Sequence, residues 1–259
     1  MQQDIVIFAP HQDDEILGAY EIIRQQPDHI YVVFLTNGDY EGAAVAKTRW
    51  HESRKALTHL GVPEDHMIAL GYADTGMPRD VSFLWRLWHA EDQTLIASPV
   101  GAHTYHPDGG QEYHLMHWGA HAAYTRLAVL ADVRAVLEQI RPGTIYMTNE
   151  DDVHGDHAAA PLFVRAALEQ MADYAPTIYR YHVHGGDDER WPNRTGDTFE
   201  KPFNLDEGQW ESRVRISVSD QKDFLETLES FQSQWCDEAY MTAFIKKEQI
   251  FYHAKAENE

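Results

Sequence analysis

Ile5-Val6-Ile7-Phe8-Ala9-Pro10-His11-Gln12-Asp13-Asp14-Glu15 is the stretch on which the reading of the fold turns. Its first five residues are an unbroken β-branched and aromatic run, the pattern of a strand buried on both faces. Pro10 stops it, and one imidazole and three carboxylates follow at once. Placing so many acidic groups beside a core is costly unless a cation or a proton offsets their repulsion. The same pattern recurs downstream. Thr144 to Thr148 is a second buried run, and it leads into Asn149-Glu150-Asp151-Asp152-Val153-His154-Gly155-Asp156-His157. In open α/β sheets ligands bind beyond the carboxyl ends of the strands, so these two strand ends form the candidate site.

The elements around them fit such a sheet. Working outward, a helix is predicted over about 15–26 and a strand over 30–35, closing at Asn37-Gly38. A helix over 43–60 is stopped by Gly61, and a strand covers 67–70. A helix over 82–96 carries Phe83, Leu84, Leu87 and Trp88, and residues 98–118 read as a long loop, a functional feature in most compact domains. A helix over 124–140 precedes Arg141-Pro142-Gly143, and a later one over 160–171 holds Pro161 in its first turn. Strands follow at 177–183 and, as an edge with one wet face, at 213–218. Phe224, Leu228, Phe231 and Trp235 stripe a last helix. The β-α-β-α order predicts a Rossmann-like α/β fold, a three-layer sandwich whose mostly parallel sheet carries helices on both faces. With no repeat or linker in view, residues 1–259 are expected to form a single domain.

Composition narrows the function. The chain has 259 residues, 21 Lys+Arg against 42 Asp+Glu, and a net charge of −21. That charge repels phosphate backbones and anionic membrane surfaces, so neither nucleic acid nor a membrane is an expected partner. Cys236 is the single cysteine; with no basic, apolar leader at the N-terminus it fits a cytoplasmic protein. No G-x-G-x-x-G follows the first strand, and neither a phosphate-binding G-x-x-x-x-G-K-[ST] nor a G-x-S-x-G elbow occurs. The 16 histidines make H-x-x-H cheap, and it occurs at His103/His106, His114/His117 and His154/His157. Only the last directly follows a strand and lies among carboxylates. The other two pairs read as solvated or substrate-adjacent imidazoles.

His11-Gln12-Asp13-Asp14-Glu15 together with His154-Gly155-Asp156-His157 resembles the two signature motifs of the PIG-L/LmbE-like zinc N-deacetylases. Arg49 and Glu52, followed by Leu60-Gly61-Val62, are similar to that family's R-x-x-E helix, and the resemblance runs over about residues 4–185. It implies His11, Asp14 and His157 as zinc ligands and Asp13 as general base. His154 would stabilise the oxyanion or protonate the leaving amine, with Asp156 orienting it; the charge of neighbouring Asp156 is itself expected to hold the His154 pKa above the usual value. Arg49 would contact the substrate, and His184, just past another strand end, would line the pocket. Gln12 and Gly155 stand where many members have Pro. Asp152 occupies the place where some have an oxyanion-holding Tyr.

The chemistry agrees with those roles. Two imidazoles and one carboxylate leave a position open on tetrahedral zinc, as catalytic sites do, and the same donors accept Fe(II) or Co(II). Paired Asp13 and Asp14 supply one carboxylate for the metal and one for a water. The expected activity is zinc-dependent removal of an N-acetyl or related N-acyl group from a glucosamine-type sugar conjugate. Tyr105, Tyr113 and Trp118 in the long loop could contribute to a sugar-stacking rim. An amidase acting on another acylated small molecule, or a zinc-holding binding protein without catalysis, are the alternative readings.

Overall fold

The computed structural model describes residues 3–186 and 191–253. In chain order the strands are β1 (Ile5–Ala9), β2 (Ile30–Thr36), β3 (Met67–Tyr72), β4 (Thr144–Thr148), β5 (Thr177–Tyr181), β6 (Val214–Ser217) and β7 (Glu248–His253). The helices are α1 (Asp14–Gln25), α2 (Ala43–His59), α3 (Phe83–Trp88), α4 (Tyr113–Trp118), α5 (Arg126–Ile140), α6 (Gly155–Glu169), α7 (Glu207–Glu211), α8 (Gln221–Leu228) and α9 (Glu238–Ala243). They surround one sheet of order β3-β2-β1-β4-β5-β7-β6. The pairs from β3 to β5 are parallel, whereas β7 runs antiparallel to both β5 and β6.

The sheet is covered on both faces, and β1 shows how. Ile5, Ile7 and Ala9 pack with residues of α1, α2 and α8, while Val6 and Phe8 pack with α3, α5 and α6. Successive side chains of a strand point to opposite faces, so an unbroken apolar run is what two helical layers require. The expected three-layer architecture is therefore the observed one. The chain moves from β1 outward through β2 to β3, then returns to place β4 on the other side of β1. That reversal opens a crevice at the carboxyl ends of β1 and β4, where the two acidic, His-bearing segments lie.

Several elements differ from expectation. The helix over 82–96 ends at Trp88, because the apolar stripe stops there and His89-Ala90-Glu91-Asp92 offers nothing to bury. The loop over 98–118 contains α4, capped by the Glu112 side chain accepting from Leu115 N–H. Phe231 and Trp235 lie beyond α8, at and within a 3-10 segment at Gln232–Asp237. β7 is an additional strand, and 213–218 is indeed the edge. Among the described residues no helix is long and apolar enough to cross a membrane.

Candidate active site

β1 ends at Ala9, and the chain turns sharply through Asp13, whose backbone lies at φ 119° and ψ −30°. A non-glycine residue in this region is strained. Glu15 holds the turn: its Oε2 accepts the Asp13 N–H at 2.9 Å, while Oε1 accepts the Ser53 hydroxyl of α2 at 2.7 Å. Burial pushes the Glu15 carboxyl up to about 8, against the hydrogen bond from Ser53. The turn thereby aims Asp13 and Asp14 in different directions.

At the end of β4 the chain enters α6 earlier than its sequence suggests. The helix starts at Gly155, which puts Pro161 well inside it. Proline has no N–H to give the carbonyl four residues back. That carbonyl belongs to His157, and the Thr148 hydroxyl of β4 donates to it at 2.8 Å. Strand and helix are thus tied at His157.

Three atoms from the two segments converge. His11 Nδ1 lies 3.1 Å from His157 Nε2 and 3.4 Å from Asp14 Oδ2, and His157 Nε2 is 3.2 Å from the same oxygen. Tetrahedral zinc with ligand bonds of roughly 2.0–2.1 Å spaces its donors about 3.3 Å apart, so this triangle fits one face of such a site. The outer nitrogens agree. His157 Nδ1 faces Asp152 Oδ2 at 3.3 Å, and His11 Nε2 faces Asp156 Oδ2 at 3.3 Å. Each outer nitrogen is then the protonated one, leaving a lone pair on the atom that points inward. A wider group of His11, His154 and His157 also lies within 4.8 Å, but the Nδ1 of His154 caps α6 and Asp14 is nearer the other two.

The charges fit a cation too. Burial opposes charge on His11, yet Asp74, Asp14 and Asp156 raise it well above the ordinary imidazole value. His157, also working against burial, is lifted to about 9 by Asp14 and Asp152. Asp14 is held low by His157 and His11 despite burial. The carboxylate excess behind these shifts is what a divalent ion would be drawn to.

Asp13 stands apart from the triangle. Burial pushes its carboxyl up to about 7, with Arg49 opposing and Asp14 adding. Arg49 NH2 donates to Gln12 O at 2.8 Å and lies 3.3 Å from Asp13 Oδ2; the arginine is half-buried against the turn.

His154 corrects an expectation. The Asp156 carboxylate does not serve it, but accepts the Leu84 N–H at 2.7 Å and meets His11. What reaches the His154 ring is the Asp156 backbone N–H, 3.2 Å from Nδ1, so His154 caps α6. Burial and the neighbouring His11, His157 and His184 keep its pKa well below the ordinary value, the reverse of the predicted rise. A helix N-terminus disfavours a cation further. The site therefore favours a neutral His154 ring with its remaining proton on Nε2.

A cavity of about 430 Å³ adjoins this centre, lined by Arg49, Asp74 and His154 together with Tyr40, Met77 and Ser233. Asp74 escaped the sequence reading although it follows a strand end. Its Oδ1 accepts the Gly76 N–H at 2.8 Å, and its own N–H donates to Asp39 at 2.6 Å. Asp152 is the other omission: it orients His157 and accepts the backbone N–H groups of His154, Val183 and His184. His184 sits with its ring 4.8 Å from that of His157 and its Nδ1 3.1 Å from the Tyr240 hydroxyl. Of the expected rim only Tyr105 comes near, donating to Asp39 at 2.8 Å. Tyr113 is buried in the core, and Trp118 lines a separate groove beside α5. His114 pairs with Asp132 at 2.7 Å, and His117 stacks on Tyr113.

Gly155 has a role here. Its N–H donates to Met77 O at 2.9 Å, and a Cβ on it would meet Ser82 Cβ at 2.4 Å. The segment bearing Asp74, Met77 and Pro78 docks on the second motif through this gap. Gly155→Ala is expected to destabilise the fold by about 1–3 kcal/mol in urea unfolding, the cost of overpacking. Gly155→Pro, although proline suits a first helical position, is expected to cost more because it also removes the N–H. Stability equal to wild type in both variants would show that the segment does not dock there.

The sequence profile of the PIG-L family, described as GlcNAc-PI de-N-acetylase, matches residues 6–168. The chain belongs to this family. Its fold is similar to a deacetylase of the teicoplanin biosynthetic pathway, solved as a triple mutant, at 12% identity and TM-score 0.60 over 99% of this chain and 100% of that one. N,N′-diacetylchitobiose deacetylase from Pyrococcus horikoshii is similar at 14% identity and TM-score 0.55, over 97% and 84%. GalB, the 4-carboxy-2-hydroxymuconate hydratase from Pseudomonas putida, is similar at 13% and 0.55, over 100% and 98%. No curated protein matches the sequence.

Proposed function

We propose that this protein is a zinc-dependent hydrolase that removes an N-acetyl or related N-acyl group from a glucosamine-type sugar conjugate. GalB's presence on the same fold means that the architecture alone does not select the reaction. The observation that carries the reading is Asp13, a buried carboxylate held in a strained turn beside the metal triangle yet outside it. A purely structural metal site has no use for such a group.

His11, Asp14 and His157 would hold the ion, which when bound would polarise the amide carbonyl and acidify a water. Asp13 takes the proton of the attacking water. His154 donates its Nε2–H to the carbonyl oxygen as negative charge builds there. The proton that Asp13 has taken is then available to the departing amine. Arg49 steadies Asp13 and lines the cavity, and Asp74 can accept from a sugar hydroxyl. The deacetylase neighbours named for chitobiose and teicoplanin support an aminosugar conjugate as the substrate class.

Elemental analysis and an amine-release panel test this together. His11→Ala, Asp14→Ala and His157→Ala are each expected to bind less zinc than wild type. The zinc-loaded protein is expected to release free amine and acetate from at least one N-acetylglucosamine conjugate. Full zinc content in all three variants would remove the ligand assignment, and no release across the panel would remove the activity.

A further inference from the structure

Glu52 lies one helical turn beyond Arg49 on α2, and the chemistry above leaves it unused. It is 92% removed from solvent, at 8% exposure, and both its oxygens are taken by one distant residue. Oε1 accepts the Ser233 backbone N–H at 2.7 Å, and Oε2 accepts the Ser233 hydroxyl at 2.5 Å. Ser233 belongs to the 3-10 segment Gln232–Asp237, in which no residue is buried. Within it Trp235 packs, partly buried, against the core; the polar residues on either side depend on polar ties, and Glu52 supplies a charged, two-pronged one.

The same segment forms a side of the cavity. Ser233, Gln234 and Cys236 face the space that Arg49, Asp74 and His154 border. It lies outside residues 6–168, the stretch matched by the family, so this side is supplied by the part of the chain beyond that match. Its chemistry is neutral: a hydroxyl, a carboxamide and a thiol. Tyr40, Val45, Met77 and Pro78 add apolar surface, and among the described lining residues the single cation, Arg49, stands against Glu41 and Asp74. Arg49 is already committed to Asp13. An anionic group would meet a net negative surface here, whereas a sugar offers hydroxyls to Gln234 and a C–H face to an aromatic ring.

We propose that residues 232–237, fastened to α2 by Glu52, are the specificity wall that holds an uncharged sugar linked beyond the acetamido ring. Glu52 is in this sense a positioning residue. The proposal rests on the amide-hydrolase reading for its kinetic test, and a second arm is independent of it.

The kinetic arm compares N-acetylglucosamine with N,N′-diacetylchitobiose on the zinc-loaded protein. Glu52→Ala is expected to raise KM for the disaccharide about tenfold, as lost polar contacts do, with kcat and the monosaccharide parameters unchanged. Glu52→Gln is expected to behave as wild type, because its amide can accept from the Ser233 N–H and donate to the hydroxyl. In the second arm Cys236, the only cysteine in the chain and an exposed one, is alkylated with iodoacetamide. Saturating N,N′-diacetylchitobiose is expected to slow alkylation in wild type and in Glu52→Gln, and the protection is expected to be lost in Glu52→Ala. Equal losses on both substrates, damage from Glu52→Gln matching that from Glu52→Ala, or alkylation of wild type indifferent to the disaccharide would each overturn the proposal. If the wild type hydrolyses neither sugar but its cysteine is still protected, the wall stands independently of the hydrolase reading, which the wider panel decides.

Discussion

Asp13→Asn is expected to lower kcat by roughly 10³-fold, within the usual range for a positioned general base, while bound zinc stays at the wild-type level. Asparagine has the same shape, keeps an oxygen for Arg49 and leaves untouched the backbone N–H that Glu15 holds. What it lacks is a basic oxygen for the water's proton. The three atoms of the proposed metal triangle come from His11, Asp14 and His157, so metal content separates base from ligand. Zinc lost to the same extent as in His157→Ala would make Asp13 a ligand and end the division of labour. The pH profile adds a sign. Burial lifts the Asp13 carboxyl to about 7 and Arg49 opposes that lift. With Asp13 as the proposed base the ionised form is the active one, so kcat/KM is expected to rise with pH through the acid limb, and Arg49→Ala to move that limb to higher pH.

The parts of this site that the sequence disclosed share one property: they are local. β1 and β4 were legible because strands covered on both faces are unbroken apolar runs, and each is followed at once by its His and Asp residues. Asp39 and Asp74 obey the same rule at the ends of β2 and β3. They were passed over because a lone acid after a strand carries little weight without its neighbours. The start of α6 was misplaced by Pro161, whose missing N–H is made good by Thr148, a partner that only the folded strand supplies. The roles of Asp156 and Glu52 are tertiary. Asp156 reaches His11 across 145 positions, and Glu52 reaches Ser233 across 181, distances over which no spacing rule operates. The helix expected over 82–96 failed for a simpler reason: its apolar stripe ended after two turns.

His154→Ala is expected to lower kcat by about 10²–10³, the usual loss of one oxyanion donor, and to leave the pH profile near neutrality unchanged in shape. The second half of that expectation follows from the helix cap. If His154 worked as an imidazolium, its deprotonation would draw a basic limb, and the alanine variant would lose it. The Asp156 N–H on Nδ1 and the three surrounding imidazoles instead keep the ring neutral. Its pKa lies below the ordinary value, so raising the pH through 7 removes no proton from it. Nε2–H remains a donor throughout. A neutral imidazole is a weaker acid than an imidazolium but needs no charge in a crowded cationic corner, and a helix N-terminus is known to favour that form in other enzymes. Titration of the His154 ring by NMR in the zinc-loaded protein checks the premise directly, with neutral-ring shifts expected at pH 6.5. A basic limb in the wild type that disappears in His154→Ala would show that the ring is charged during catalysis, and the cap would then be an obstacle rather than the device.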